Sequence, residues 1–198
     1  MLHRALILLL PGLIAASPAA AQTAAAPAPA AGQPLGGPVV PGVCLLSREA
    51  IFANAAVGKA ASARLTELAR AAQGEVDTER APIEAELKAL EGQPDNAQTR
   101  TRREAAAKRW QALQERAALA SREIEATRAK ALARIAGDAQ PLIAQVYTAR
   151  KCGLLFDRGT ALGGNFANDL TADVVKALDA KVQTISFERE RLAAPAKP

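Results

Sequence analysis

The sequence predicts a mainly α protein with a small β-body, in which a long antiparallel helical-hairpin arm projects from short strands. Three observations predict it. From about Ala60 to Arg150, roughly ninety residues are charged and helical in pattern, with one break at Gly92-Gln93-Pro94-Asp95-Asn96. Short apolar runs, Val43-Cys44-Leu45-Leu46 and Gly153-Leu154-Leu155-Phe156, stand on either side of that stretch. Two cysteines, Cys44 and Cys152, flank the whole hairpin.

Residues 1–21 read as a secretory signal peptide. Met1-Leu2-His3-Arg4 is a short positive start, Ala5 to Ile14 is an apolar core, and Ala19-Ala20-Ala21 offers a cleavage site before Gln22. The apolar run falls short of the ~20 residues a spanning helix needs, and no later stretch reaches that length. No cysteine follows the core closely, so a lipoprotein anchor is not expected. Residues 22–41 are an uncharged Ala/Pro-rich stretch read as a flexible leader. The expected folded unit is 42–192, with a β-body at 42–57 and 151–192 and the arm at 58–150. Residues 193–198 are a tail.

Val43–Leu46 reads as a buried strand. Ser47 is a candidate N-cap for a short helix through Ile51, Phe52 and Val57, and Gly58 marks a kink before the arm. The outgoing arm has apolar residues at Leu65, Leu68, Ala72, Val76, Ile83, Leu87 and Leu90, a narrow stripe at a step close to 3.6. Pro82 removes one hydrogen bond and kinks the helix, yet Val76, Ile83 and Leu90 keep their seven-residue step across it, so the helix continues. The returning arm begins near Ala97 and carries Trp110, Leu113, Ala117, Ala120, Ile124, Ala131, Ile135, Leu142 and Val146 at three-four spacing. Trp110 is read as a seam residue. After Arg150 the period changes: Cys152–Phe156 reads as a strand, Thr160-Ala161-Leu162 as a second, and Thr171 as the cap of a last helix with Val174, Val175 and Leu178 on its apolar face. Val182–Phe187 alternates and is read as a closing strand.

The chemistry is as informative for what is missing. His3 is the only histidine and leaves with the signal, so the mature chain has no imidazole for proton transfer or metal binding. It has no Cys/His cluster, phosphate-cradling glycine loop or Gly-x-Ser-x-Gly elbow. No catalytic, cofactor-binding or metal residues are expected, no cofactor is called for, and the chain is read as a non-enzyme. In an exported chain Cys44 and Cys152 read as a disulfide clamping the arm's roots, with two buried thiols as the alternative. Between Gly58 and Glu91 there are five basic and seven acidic residues, against ten and four between Ala97 and Ile135. The opposite balances favour antiparallel pairing and leave a basic cluster near the tip: Arg100, Arg102, Arg103, Lys108 and Arg109. Charge alone makes these the candidate client-binding residues, with a solvated helix face as the bland reading. Nucleic acid is not an expected partner of an exported chain; an anionic membrane surface or an acidic, unfolded client is.

The order of signal peptide, Val43–Leu46 strand, Ile51-Phe52 helix, charged hairpin, Gly153–Asp157 strand and the run Asp169-Leu170-Thr171-Ala172-Asp173-Val174-Val175 resembles the Skp (OmpH-like) periplasmic chaperone family. The resemblance covers about Val43 to Val182. It implies a jellyfish-like homotrimer, with short strands from three chains building a β-body and the hairpins hanging around a cavity. The trimer body would use Val43, Leu45, Leu46, Leu154, Leu155 and Phe156. It also implies an ATP-independent periplasmic holdase that binds unfolded outer-membrane β-barrel proteins between its arms and prevents their aggregation during transit. About forty non-helical residues are too few for a stable core alone, which agrees with assembly. The cysteine pair and the Ala/Pro leader lie outside the family's pattern. Two other classes remain: a non-catalytic coiled-coil spacer or adaptor of an envelope complex, and an anionic-lipid-binding envelope protein.

Overall fold

The structure, a computed structural model, describes residues 35–193. The expected signal segment, the leader up to residue 34 and the tail from residue 194 lie outside the described residues. The elements run β1 (Val43–Leu46), α1 (Arg48–Asn54), α2 (Ala56–Leu90), α3 (Ala97–Ala149), β2 (Leu154–Asp157), a 3-10 turn at Arg158–Thr160, and α4 (Thr171–Lys181).

β1 and β2 pair in parallel, with Val43 opposite Leu154, Cys44 opposite Leu155 and Leu45 opposite Phe156. Parallel strands need a long crossover, and here the crossover is the entire hairpin. The other edge of β1 is taken by Asn168–Leu170: Leu45 N donates to Asn168 O at 3.1 Å and Leu170 N to Leu45 O at 2.9 Å. The inward side chains Cys44 and Leu46 join Ile51, Val57, Leu170, Val174 and Leu178 in a core that continues up the root of the arm through Ala131, Ile135, Ala139 and Ile143.

Helix ends in the body are closed across elements. Ser47 Oγ accepts from Ala50 N at 3.1 Å and caps α1. Ala55 offers α2 no capping side chain, and Asp179 Oδ1 of α4 accepts from Ala56 N at 2.7 Å instead. Gly58 serves close packing and not a kink: a Cβ there would lie 1.8 Å from the Phe52 carbonyl oxygen, so only glycine lets α1 fold back on α2. Thr171 is not a cap but the first residue of α4. Its amide donates to Asp169 Oδ1 at 2.8 Å while its hydroxyl accepts from Ser47 N at 2.9 Å.

α2 and α3 run antiparallel, as the pairing of Glu79 with Arg116 and of Glu86 with both Arg102 and Arg109 shows. α2 passes through Pro82 without ending, and α3 likewise through Pro141. Gly92 turns the chain at φ +72°, and Asn96 Oδ1 caps α3 by accepting from Thr99 N at 2.9 Å. Seam residues Val76, Ile83 and Leu113 are buried with Trp110 and Ala117 against them. Leu87, read as part of the stripe, is 36% exposed.

Two strand readings are corrected. Thr160 ends the 3-10 turn Arg158–Thr160, held by Asp157 Oδ1 accepting from Gly159 N at 2.8 Å, and Ala161 and Leu162 follow outside any strand, with Leu162 in solvent. Val182–Phe187 begins an extended strap, not a strand. It lies on the arm, whose helical backbone is already satisfied internally, so only side chains can meet the strap's amides.

Candidate functional site

Four surfaces carry the chemistry of this chain. The first is the strap, which runs from Val182 to Ala193 along α2 and α3. Ile185 is buried and Phe187 packs beside it on the core. Beyond them, charges alternate along the strap and each finds its partner on the arm. Glu188 meets Arg64 at 2.9 Å, Arg189 meets Glu75 at 2.7 Å and Glu123 at 3.2 Å, and Glu190 meets Lys130 at 2.8 Å. The amide of Glu190 donates to Thr127 Oγ1 at 2.9 Å and that of Leu192 to Glu123 Oε1 at 3.1 Å. Arg189 and Glu123 are nearly enclosed, with side chains 8% and 6% exposed. Arg189 Nε lies within ion-pair distance of Glu123 but off the N–H line, so the contact is electrostatic without a hydrogen bond. The hydrogen bond from Arg189, with the fields of Arg189, Arg191 and Arg116, holds the Glu75 carboxyl below its ordinary 4.5. Sequence reading missed this cluster. Its signal was an acid and a threonine, Glu123 and Thr127, at the inner spacing of an otherwise apolar seam, together with the alternating Glu188-Arg189-Glu190-Arg191.

The second surface is a groove of about 1180 Å³ on the arm's root, between α1, α2 and α3. Ile51, Phe52, Leu65, Ile124, Leu132 and Ile135 make it apolar, and Arg48, Arg70 and Arg128 stand around it. Leu132 is 38% exposed. Arg48 pairs with Asp157 at 3.6 Å, whereas Arg70 and Arg128 have no carboxylate within ion-pair distance among the described residues.

The third is the outer face of the strand pair. Strand alternation puts Val43, Leu45, Leu154 and Phe156 on one side and Cys44, Leu46 and Leu155 on the other. The six residues assigned to a trimer body are thus divided: Leu46 and Leu155 face the chain's own core, while Leu154 and Phe156 are 56% and 50% exposed. Among the described residues β2 has no neighbour on its outer edge. Cys44 and Cys152 are joined by a disulfide with Cα atoms 5.8 Å apart, tying β1 to the end of the returning helix.

The fourth is the hairpin tip. The structure brings the basic cluster together and also engages most of it. Arg100 and Arg103 pair with Asp95 at 3.6 and 3.8 Å, and Arg102 and Arg109 with Glu86 at 3.2 and 3.3 Å. Arg103 also donates to the Leu90 and Gln93 carbonyls, closing the end of α2. Lys108 is exposed and has no such partner among the described residues. No group of three or more His, Cys, Asp or Glu side chains among the described residues is placed to hold a metal ion. No helix among them is long and apolar enough to cross a membrane.

Residues 42–178 match the family described as Outer membrane protein (OmpH-like). The fold is similar to the crystal structure of a Caulobacter crescentus CB15 protein provisionally assigned as an outer membrane chaperone (OmpH-like). The two share 36% sequence identity with a TM-score of 0.70, over 79% of this chain and 94% of that one. No curated protein matches the chain. A family match across most of the folded region, with a similar structure at that identity, carries one conclusion: the chain belongs to the OmpH-like family of outer membrane proteins.

Proposed function

We propose that this protein is an ATP-independent periplasmic holdase that binds unfolded outer-membrane β-barrel proteins between its helical arms. The observation that carries the reading is the match to an OmpH-like chaperone relative across 94% of that relative's length, body and arm together. The two-helix arm supports it. Its seam is rich in alanine and narrow, so it buries little apolar area per residue and can bend around cargo of variable shape. Self-assembly into a trimer completes the proposal. It is supported by the exposed outer face of the strand pair and the edge of β2, which has no neighbour among the described residues, since an uncovered edge with Leu154 and Phe156 beside it is a template for another chain.

The tip cluster Arg100, Arg102, Arg103, Lys108 and Arg109 enters this proposal as client-contacting surface. Because Glu86 and Asp95 already engage four of them, a client's carboxylates must compete for those guanidinium groups, and the attraction should weaken with salt. Neutralising the five is expected to lower client affinity and flatten its salt dependence; an unchanged slope removes the tip from the client surface. The whole reading is tested by light scattering on a sizing column, with mature protein alone and with a urea-denatured barrel diluted into it. A trimer carrying the barrel as a defined soluble complex supports the reading. A monomer or dimer, with the barrel lost to aggregate, replaces it with a spacer or adaptor role.

A further inference from the structure

Viewed around the root of the arm, α2 and α3 present two faces, and the chain treats them differently. The strap meets α3 at Glu123, Thr127 and Lys130. The groove uses Ile124, Arg128 and Leu132 on the same turns. At 3.6 residues per turn the centres of these two sets lie about 130° apart, and α2 repeats the division, with Arg64 and Glu75 on the strap side and Leu65 and Arg70 on the groove side. One face is therefore covered by a segment of the chain's own backbone, and the other is uncovered among the described residues.

We infer that the groove between α1, α2 and α3 is a docking site for an extended segment of an unfolded client, apolar at alternate positions and acidic between them. The inference rests on the chaperone reading above. Three observations carry it. At about 1180 Å³ the groove exceeds the ~300–1,000 Å³ typical of small-molecule sites, which suits a length of chain. Its charge is one-sided, with Arg70 and Arg128 unpaired among the described residues and Glu49 the sole acid in its lining. The strap shows what this helix pair accepts: Ile185 and Phe187 settle on apolar surface while the neighbouring Glu188 and Glu190 carboxylates reach the Arg64 guanidinium and the Lys130 ammonium of the arm. Segments destined for barrel strands alternate apolar and polar residues, so one edge of such a segment meets the exposed Leu132 and the half-buried Phe52 and Ile124 while its acids reach Arg70 and Arg128. The strap, centred beyond residue 182, falls outside the 42–178 family match. Closing one face with its own strap leaves the groove as the uncovered face at the root among the described residues.

The test is direct binding of a fluorescein-labelled peptide alternating leucine and aspartate, followed by anisotropy, with Leu132→Glu, Arg128→Glu and the distant control Leu87→Glu. The same proteins are assayed for a soluble complex with the urea-denatured barrel, and helix content by circular dichroism confirms that each folds. The expected result is about tenfold weaker peptide binding in both groove variants and no change in the control. Equal peptide binding by all four proteins overturns the inference. Barrel retention unaffected by the groove variants also overturns it while leaving the holdase reading intact. Peptide bound in the groove by a protein that cannot retain a barrel upholds the docking site and sinks the holdase reading instead. Oligomers of the wild type that Leu132→Glu dissolves make the groove a contact between copies and overturn client docking.

Discussion

Replacing Arg189 with methionine isolates the contact that holds the strap on the arm. The guanidinium lies between Glu123 and Glu75, and the Glu123 side chain is only 6% exposed. Removing one partner of a buried ion pair costs about 3–5 kcal/mol, because the other charge stays buried without compensation. Two contacts bring the figure to the low end, since Glu123 keeps Arg191 at 3.5 Å and the Leu192 amide at 3.1 Å. Peeling sets a ceiling as well: once the strap lifts, Glu123 returns to water, so the loss cannot exceed the strap's own opening free energy. The expected effect is thus local and about 3 kcal/mol at most. Native-state hydrogen exchange reads it at the amides of Glu190 and Leu192, which donate to Thr127 and Glu123. Both should lose about a hundredfold in protection, while the urea midpoint of global unfolding moves much less. Adding Glu123→Leu should recover most of the loss at the Glu190 amide, whose acceptor Thr127 remains, because an apolar pair leaves no stranded charge; the Leu192 amide loses its acceptor in that variant and is not read there. Unchanged protection in Arg189→Met, or a double variant no better than the single one, would refute the account of the strap as an ion-paired clasp.

Three further outcomes are expected. Gly58→Ala forces a Cβ against the Phe52 carbonyl, where backbone has to move, so the urea midpoint should fall by the equivalent of about 2–3 kcal/mol; a shift within experimental error would show that α1 can be displaced freely. The Cys44–Cys152 bond closes a loop with a sequence separation of 108, for which chain entropy gives about 4–5 kcal/mol as an upper figure. Thiol titration of the unfolded protein should find no free thiol, and the double serine variant should unfold at clearly lower urea. Glu75 titrates below 4.5 in the folded chain, so its contribution is present above 4.5 and is lost as pH falls through the lower folded value. Strap protection should therefore decline in acid, modestly because the Glu75 side chain is 43% exposed, and Arg189→Met should blunt that decline. A decline of equal size in the variant would assign it to other groups.

The sequence by itself determined the elements whose causes are local. Helical spacing from Leu65 to Leu90, the turn at Gly92–Asn96 and the start of α3 at Ala97 follow from periodicity, a glycine at positive φ and an asparagine cap. The family was legible as well, because it rests on the order of elements and a short motif in the last helix. What depended on distant partners was not legible. Thr171 looked like a cap, but its hydroxyl serves the Ser47 amide from across the fold. Val182–Phe187 has strand-like alternation, yet a strand requires a partner with free backbone groups, and the surface it meets is helical. Gly58 gave no sign that α1 would press against it, and the basic tip did not reveal that Glu86 and Asp95 would engage it. Tertiary structure alone decided these points. Periodicity encodes which face of an element is apolar, whereas the partner of that face, and of each buried charge, is fixed by how the chain folds back on itself, whether 124 positions away, as for Ser47 and Thr171, or 23, as for Glu86 and Arg109.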